Sequence, residues 1–285
     1  MKHALVVCLL SAAWMAAPIR LQAGPVNVVV VVDESGSMAG EHAWLPGMIS
    51  SLSTELTNLG HTPTFGLYGF GSSGAMLGRE LLDNGTAAQF ATAATSLVTS
   101  GGTEDGYAGI DFAFNNFSFT PGAAVNYILV TDEDRDNADP TLNYASTLTL
   151  LKGQAALLNA VVNNAFSCNP GAALGVDWAG NGYNADGTGG FSTCPNGTAG
   201  SGSGTTTADY VDLAFASTGA AWDLNQLRAG GLTADSFTEA FIDIKVQEIG
   251  RQITGQTPEP GSMIMAGMGL LAVGIARRRR PTNGR

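Results

Sequence analysis

Basic side chains are scarce in this chain. Its 285 residues carry 13 Lys and Arg against 24 Asp and Glu, and seven of the 13 sit near the ends, at Lys2, Arg20, Arg277, Arg278, Arg279, Arg280 and Arg285. Residues 24–259 therefore hold only Arg79, Arg135, Lys152, Arg228, Lys245 and Arg251 against all 24 acids, a formal charge of −18. A field of that sign repels phosphate backbones and anionic lipid surfaces, which disfavours nucleic-acid binding, while favouring solubility and cation binding. It also leaves no basic groove for polyanionic sugars, so a polysaccharide contact would run through hydroxyls, metal or aromatic stacking. Histidine is equally rare: outside the first residues there are only His42 and His61, neither in a recognisable triad context. No G-x-S-x-G elbow is present. The three cysteines, Cys8, Cys168 and Cys194, form no CxxC pair and no zinc spacing.

What the chain does have is the apolar run Val28 to Val32 followed at once by Asp33-Glu34-Ser35-Gly36-Ser37. Five consecutive valines predict a strand buried on both faces, as at the centre of a parallel sheet covered by helices. Asp33, Ser35 and Ser37 are hard oxygen donors at alternate positions, and Gly36 lets the backbone turn so that both hydroxyls converge. Such a set suits a small divalent cation such as magnesium, which prefers near-octahedral oxygen coordination at roughly 2.0–2.1 Å and keeps several waters. The alternative is a turn in which short polar side chains bond the backbone.

Asp-x-Ser-x-Ser after an apolar strand resembles the metal-ion-dependent adhesion site of von Willebrand factor type A domains. Gly101-Gly102-Thr103 is similar to that family's third loop, and Val125 to Val130 leading into Thr131-Asp132 is similar to its fourth. The resemblance implies that Ser35, Ser37 and Thr103 contact Mg2+ (or Mn2+) directly. Asp33 and Asp132 would act largely through waters, and a partner's carboxylate would fill the open coordination position. A helix N-cap is the other reading of Thr103. The family resemblance covers residues 25–254, interrupted by a Gly-rich insertion at 167–207 that compact family members lack, and implies a doubly wound, mainly parallel α/β sheet flanked by helices. In such a sheet, ligands bind beyond the C-terminal strand ends where the strand order reverses, which brings Asp33 and Asp132 together although they lie 99 positions apart.

Periodicity along the chain agrees with that class. Helical spacing covers Trp44 to Leu59, Thr86 to Val98, Gly106 to Phe117, Leu142 to Lys152, Tyr210 to Ala216 and Thr233 to Ile253. Strands are predicted at Thr64 to Phe70, Arg79 to Leu82, Ala124 to Thr131, Ala155 to Phe166 and Thr218 to Trp222, an alternation typical of a right-handed parallel α/β sheet. Ser167 to Thr207 has almost no apolar periodicity and reads as an insertion rather than a second core. Trp178, Tyr183 and Phe191 within it pin the loop to the domain or offer stacking platforms for sugars. Gly69-Phe70-Gly71-Ser72-Ser73-Gly74 fits G-x-G-x-x-G, but no helix opens behind it, so it reads as a loop near the metal rim.

Both ends read as addresses. Residues 1–23 resemble a secretory signal peptide with cleavage near Gly24. In the oxidising compartment that export implies, Cys168 and Cys194 are most simply one disulfide. Residues 255–285 resemble the PEP-CTERM sorting signal of Gram-negative bacteria: Pro258-Glu259-Pro260, an apolar stretch from Gly261 to Ala276, then four arginines. That resemblance implies processing by a membrane exosortase and a transient membrane association through the tail. The apolar stretch is shorter than the ~20 residues of an ordinary transmembrane span.

Together these features predict an exported, non-enzymatic ligand-binding or adhesion protein at the cell surface or in an exopolysaccharide matrix, recognising a carboxylate through a bound metal. An architectural matrix protein with a structural metal is the alternative, and a metal-assisted hydrolase a more distant one, because no positioned base accompanies the serines.

Overall fold

The computed structural model describes residues 23–255. Residues 1–22, which hold nearly all of the expected signal peptide, and Pro258, Glu259, Pro260, the apolar stretch and the terminal arginines lie outside the described residues.

The chain order is β1 (Pro25–Asp33), α1 (Ala39–Asn58), β2 (Thr62–Phe70), β3 (Arg79–Gly85), α2 (Ala87–Ala94), α3 (Gly106–Asn116), β4 (Ala124–Thr131), α4 (Tyr144–Gly153) and β5 (Leu157–Val162). Six short strands follow: β6 (Asn164–Ser167), β7 (Ala172–Ala173), β8 (Gly175–Asp177), β9 (Gly182–Ala185), β10 (Phe191–Cys194) and β11 (Thr198–Gly202). A π-helical turn at Thr207–Val211 leads into α5 (Asp212–Ala216), then β12 (Ala220–Asp223), α6 (Leu224–Arg228) and α7 (Gly231–Thr254).

The main sheet has the order β10-β9-β8-β12-β5-β4-β1-β2-β3. Pairing is parallel from β12 through β5, β4 and β1 to β2, and antiparallel at both flanks. The expected α/β class is therefore what the chain forms. The valine run behaves as a strand covered on both faces: Val28, Val30 and Val32 pack with Leu45 and Ile49 of α1 and Phe241 of α7, while Val29 and Val31 pack with Tyr107 and Ile110 of α3. Because β1 lies between β2 and β4, the chain winds away from it in both directions, and a crevice opens beyond its C-terminal end.

The insertion departs from expectation. Residues 167–207 are not an irregular loop: β8, β9 and β10 extend the main sheet, and β6, β7 and β11 form a separate three-stranded sheet. Strands of two to five residues rich in glycine and asparagine are too short for alternation to register. Backbone pairing and a few aromatic anchors hold them instead. Tyr183 stacks on Trp222 at 5.5 Å, with Phe191 edge-on to Tyr183 at 6.0 Å, and Trp222 in turn meets Phe241 at 5.2 Å. Tyr183 and Phe191 thus pin the insertion, whereas Trp178 stays half-exposed.

Cys168 and Cys194 form the expected disulfide, tying the end of β10 to the residue after β6 across 26 positions. Closing a loop of that length removes denatured-state entropy worth about 3 kcal/mol. A Cys168→Ser/Cys194→Ser chain is accordingly expected to melt several degrees lower than the oxidised chain, about 2–4 °C for each kcal/mol. Equal melting temperatures would show that β-pairing alone orders the insertion.

Candidate metal centre

Register places the site. Val32 of β1 stands opposite Val130 of β4, so Asp33 and the pair Thr131-Asp132 emerge side by side at the sheet's C-terminal edge. The Asp33 carboxylate is fully buried; its Oδ1 accepts the Ser35 N–H at 2.7 Å and its Oδ2 accepts the Thr131 hydroxyl at 2.9 Å. Ser37 Oγ donates to Asp132 Oδ1 at 2.9 Å, and the Ser35 and Ser37 hydroxyls stand 3.3 Å apart. The turn after β1 feeds directly into α1, whose His42 donates from Nε2 to the Asp33 carbonyl at 2.7 Å. Four of the five residues expected from sequence are therefore in one hydrogen-bonded cluster.

Thr103 reaches the cluster by a different route. Gly101 has φ +133, and a Cβ there would lie 2.1 Å from the Gly71 carbonyl, so only glycine lets the Thr103 loop press against the loop after β2. Gly71 lies between the two: a Cβ built on it would stand 3.0 Å from Asp33 Oδ1 and 3.5 Å from the Thr103 carbonyl. Thr103 is thus beside Asp33, and it is not the cap of α3. Asp105 takes that role, accepting from the Tyr107 and Ala108 N–H groups at 3.1 and 3.3 Å.

Three participants were not foreseen. Glu104, buried in the same loop, lies beside Asp33 and Ser35; its N–H donates to Asp136 Oδ2 at 2.8 Å, and the Asp136 N–H returns a bond to its carbonyl at 2.8 Å. Arg228 of α6 donates from Nε to Glu41 Oε1 at 2.7 Å and from a terminal nitrogen to Asp132 Oδ2 at 2.8 Å. Glu34 turns away from the centre into Arg79, whose Nε meets its Oε2 at 2.7 Å, while the Val98 N–H donates to its Oε1 at 2.9 Å. This pair, buried on the Glu34 side, fastens the loop following α2 under the site. The acidic run after Asp132 is also committed to contacts: Asp134 accepts the Thr205 N–H at 3.0 Å, and Arg135 folds inward onto Asp105.

The electrostatics are those of a donor set short of positive charge. Burial pushes the Asp33 carboxyl up to about 6, against the pull of Ser35 and Thr131, with the Asp132 charge adding to the rise. Glu104 is pushed up to about 7, by burial first and then by the charge of Asp33. Hydroxyls and carboxylate oxygens gathered this closely are hard donors that suit a divalent cation, which would offset the buried negative charge. Among the described residues no group of three His, Cys, Asp or Glu side chains has metal-holding geometry, so a cation here would depend on hydroxyls and water.

A pH dependence follows, opposite in sign to that of an ordinary ion-paired carboxylate. Asp33 and Glu104 bind protons more tightly in the fold than in the unfolded chain, whose values are 3.8 and 4.5. Their contribution therefore favours folding at low pH and is lost as pH rises through about 6 to 7. Thermal melts in chelator should show stability falling between pH 5 and pH 7.5, with a shallower slope in Asp33→Asn. An unchanged slope in the variant would refute this assignment.

Comparisons with known proteins bear on the C-terminal end. Residues 256–280 match the PEP-CTERM protein-sorting motif, so the chain carries an exosortase sorting signal. No curated protein matches the chain. Similar solved structures include an aerotolerance-related membrane protein from Bacteroides fragilis, 15% identical, with 78% of this chain and 99% of that one covered and a TM-score of 0.46. The vWF domain of the type V pili tip protein Mfa5 from Porphyromonas gingivalis is 19% identical over 39% of this chain and 38% of that one, with a TM-score of 0.33. The pilus adhesin SpaC from Lactobacillus rhamnosus GG is 20% identical over 49% and 24%, with a TM-score of 0.36. Among the described residues no helix is long and apolar enough to cross a membrane.

Proposed function

We propose that this exported chain is a surface or matrix ligand-binding protein that recognises a carboxylate through a divalent cation held at the C-terminal edge of its sheet. The observation that carries the reading is the convergence of Ser35, Ser37, Asp33 and Asp132 from two adjacent parallel strands, with Thr103 and Glu104 brought against them by the Gly101 loop. Ser35, Ser37 and Thr103 would hold magnesium or manganese directly, and Asp33 and Asp132 would orient its waters. The cation would supply an electrophilic position for a partner's carboxylate oxygen. Glu104 stands where it would add a further anionic oxygen, and Arg228 holds Asp132 from the opposite side.

We read the protein as non-enzymatic. Neither histidine of the described body is placed to activate a serine: His42 Nε2 is engaged by the Asp33 carbonyl, and both ring nitrogens of His61 are buried without a partner. A randomised peptide library passed over the immobilised chain tests the binding reading. Peptides with Glu or Asp should be enriched in magnesium and not in chelator, and Ser37→Ala should abolish the enrichment. Equal enrichment in chelator would sink the metal-mediated mode and favour an architectural role.

A further inference from the structure

Of the six basic side chains in residues 24–259, four are spent on buried carboxylates: Arg79 on Glu34, Arg135 on Asp105, Arg228 on Glu41 and Asp132, and Lys245 on Glu248. The remaining two, Lys152 and Arg251, make no side-chain hydrogen bond or ion pair among the described residues, and both line one cavity of about 370 Å³. That cavity lies at the N-terminal edge of the sheet, where α4 and α7 end and β5 begins, opposite the candidate metal centre.

Each cation sits in the last turn of its helix. Such a placement offsets the helix C-terminus, which carries roughly half a negative charge. Two unit charges against two such termini leave about one positive charge, and the Glu248 carboxylate that also lines the cavity is offset by its partner Lys245. In a body this acidic, that is the place where a small anion is welcome.

Two further features narrow the ligand. Trp178 lines the cavity half-exposed, its backbone N–H donating to the Gly219 carbonyl at 3.0 Å, and its ring offers an aromatic wall. Glu248, fully buried and also lining the cavity, uses Oε2 for Lys245 and Asn159, while its Oε1 has no partner. An unpartnered buried carboxylate oxygen requires a donor. Thr218, on the same rim, holds φ at 65°, a strained value for a β-branched residue and one that persists where surrounding structure enforces it.

We infer that this cavity is a binding site for a uronic acid, free or at the end of an acidic polysaccharide. The carboxylate would meet Lys152 and Arg251, the ring would lie on Trp178, and, with a shift of the wall that covers it, Glu248 Oε1 would accept from a hydroxyl. The volume is within the range of about 300–1,000 Å³ common for small-molecule sites. This also amends the reading from composition: the sequence offers no basic groove, yet the fold gathers its two unspent cations at one pocket suited to a single anionic residue. The site is independent of the metal centre.

Calorimetric titration of D-glucuronate into the full chain, with chelator present, tests it. Saturable binding is expected, with D-glucose and benzoate both much weaker. A charge-assisted hydrogen bond is worth about 1.5–3 kcal/mol, so Arg251→Gln should weaken binding by about tenfold or more. Lys152→Gln, at an exposed helix end where folding is not at stake, should weaken it in the same direction. Absence of glucuronate binding, binding unchanged in Lys152→Gln, or benzoate bound as tightly as glucuronate would each overturn the assignment.

Discussion

Asp33→Asn is expected to remove half or more of the stabilisation that magnesium confers while leaving the metal-free chain as stable as the parent at pH 7.5, or more so. Asp33 is buried, and its carboxyl is pushed up to about 6, so its charge at neutral pH works against the fold unless a cation is nearby. In the parent, magnesium at a hundred times its dissociation constant adds about 2.7 kcal/mol. For a body of this size that is a rise in Tm of roughly 5–10 °C. Loss of a residue that orients a metal's waters weakens affinity by about 10–100-fold, which at the same magnesium concentration cuts the 2.7 kcal/mol to about 1.4–0.4 kcal/mol. Melting curves of both chains with magnesium and with chelator give the comparison. A parent whose Tm does not respond to magnesium, or a variant that responds equally, would refute it.

The second large effect is structural. Arg135 lies over the Tyr107 ring at 4.5 Å and is paired with Asp105, whose side chain is 0% exposed. Asp105 also caps α3 and accepts the Asp139 N–H at 3.1 Å, and Arg135 donates to the Asp139 and Leu142 carbonyls at 3.0 and 3.1 Å. Arg135→Ala leaves a buried carboxylate without its cation, a change that costs about 3–5 kcal/mol. The expected fall in Tm is about 6–20 °C. Because α3 and the loop after Asp132 are both fastened by this pair, metal affinity should fall as well. A loss of less than about 1 kcal/mol would show that the pair is open to water.

The legible parts of this chain were those whose signal is local. Five valines can hardly be anything but a doubly covered strand, and the oxygen donors after them follow within five positions. The Thr103 loop and Asp132 could be aligned to them because the order of loops around a parallel sheet fixes which strand ends are neighbours. Glu104 was missed although it adjoins Thr103, because its burial depends on the reciprocal backbone bonds with Asp136, 32 positions away. Arg228 was invisible for a different reason: α6 is only five residues long, too short for a helical period, and its partners lie 96 and 187 positions distant. Composition alone does not reveal that Arg135, within the acidic run from Asp132 to Asp139, turns inward onto Asp105. Lys152 and Arg251 resemble ordinary helix-end cations until the fold brings their two helix ends to one cavity.

The most direct test of the central claim is calorimetric titration of magnesium and manganese into the purified chain, with Asp132→Ala alongside. Saturable binding at one site in the parent, lost in the variant, is the predicted result. Absence of binding in the parent, or binding that survives in Asp132→Ala, would contradict a metal centre between β1 and β4.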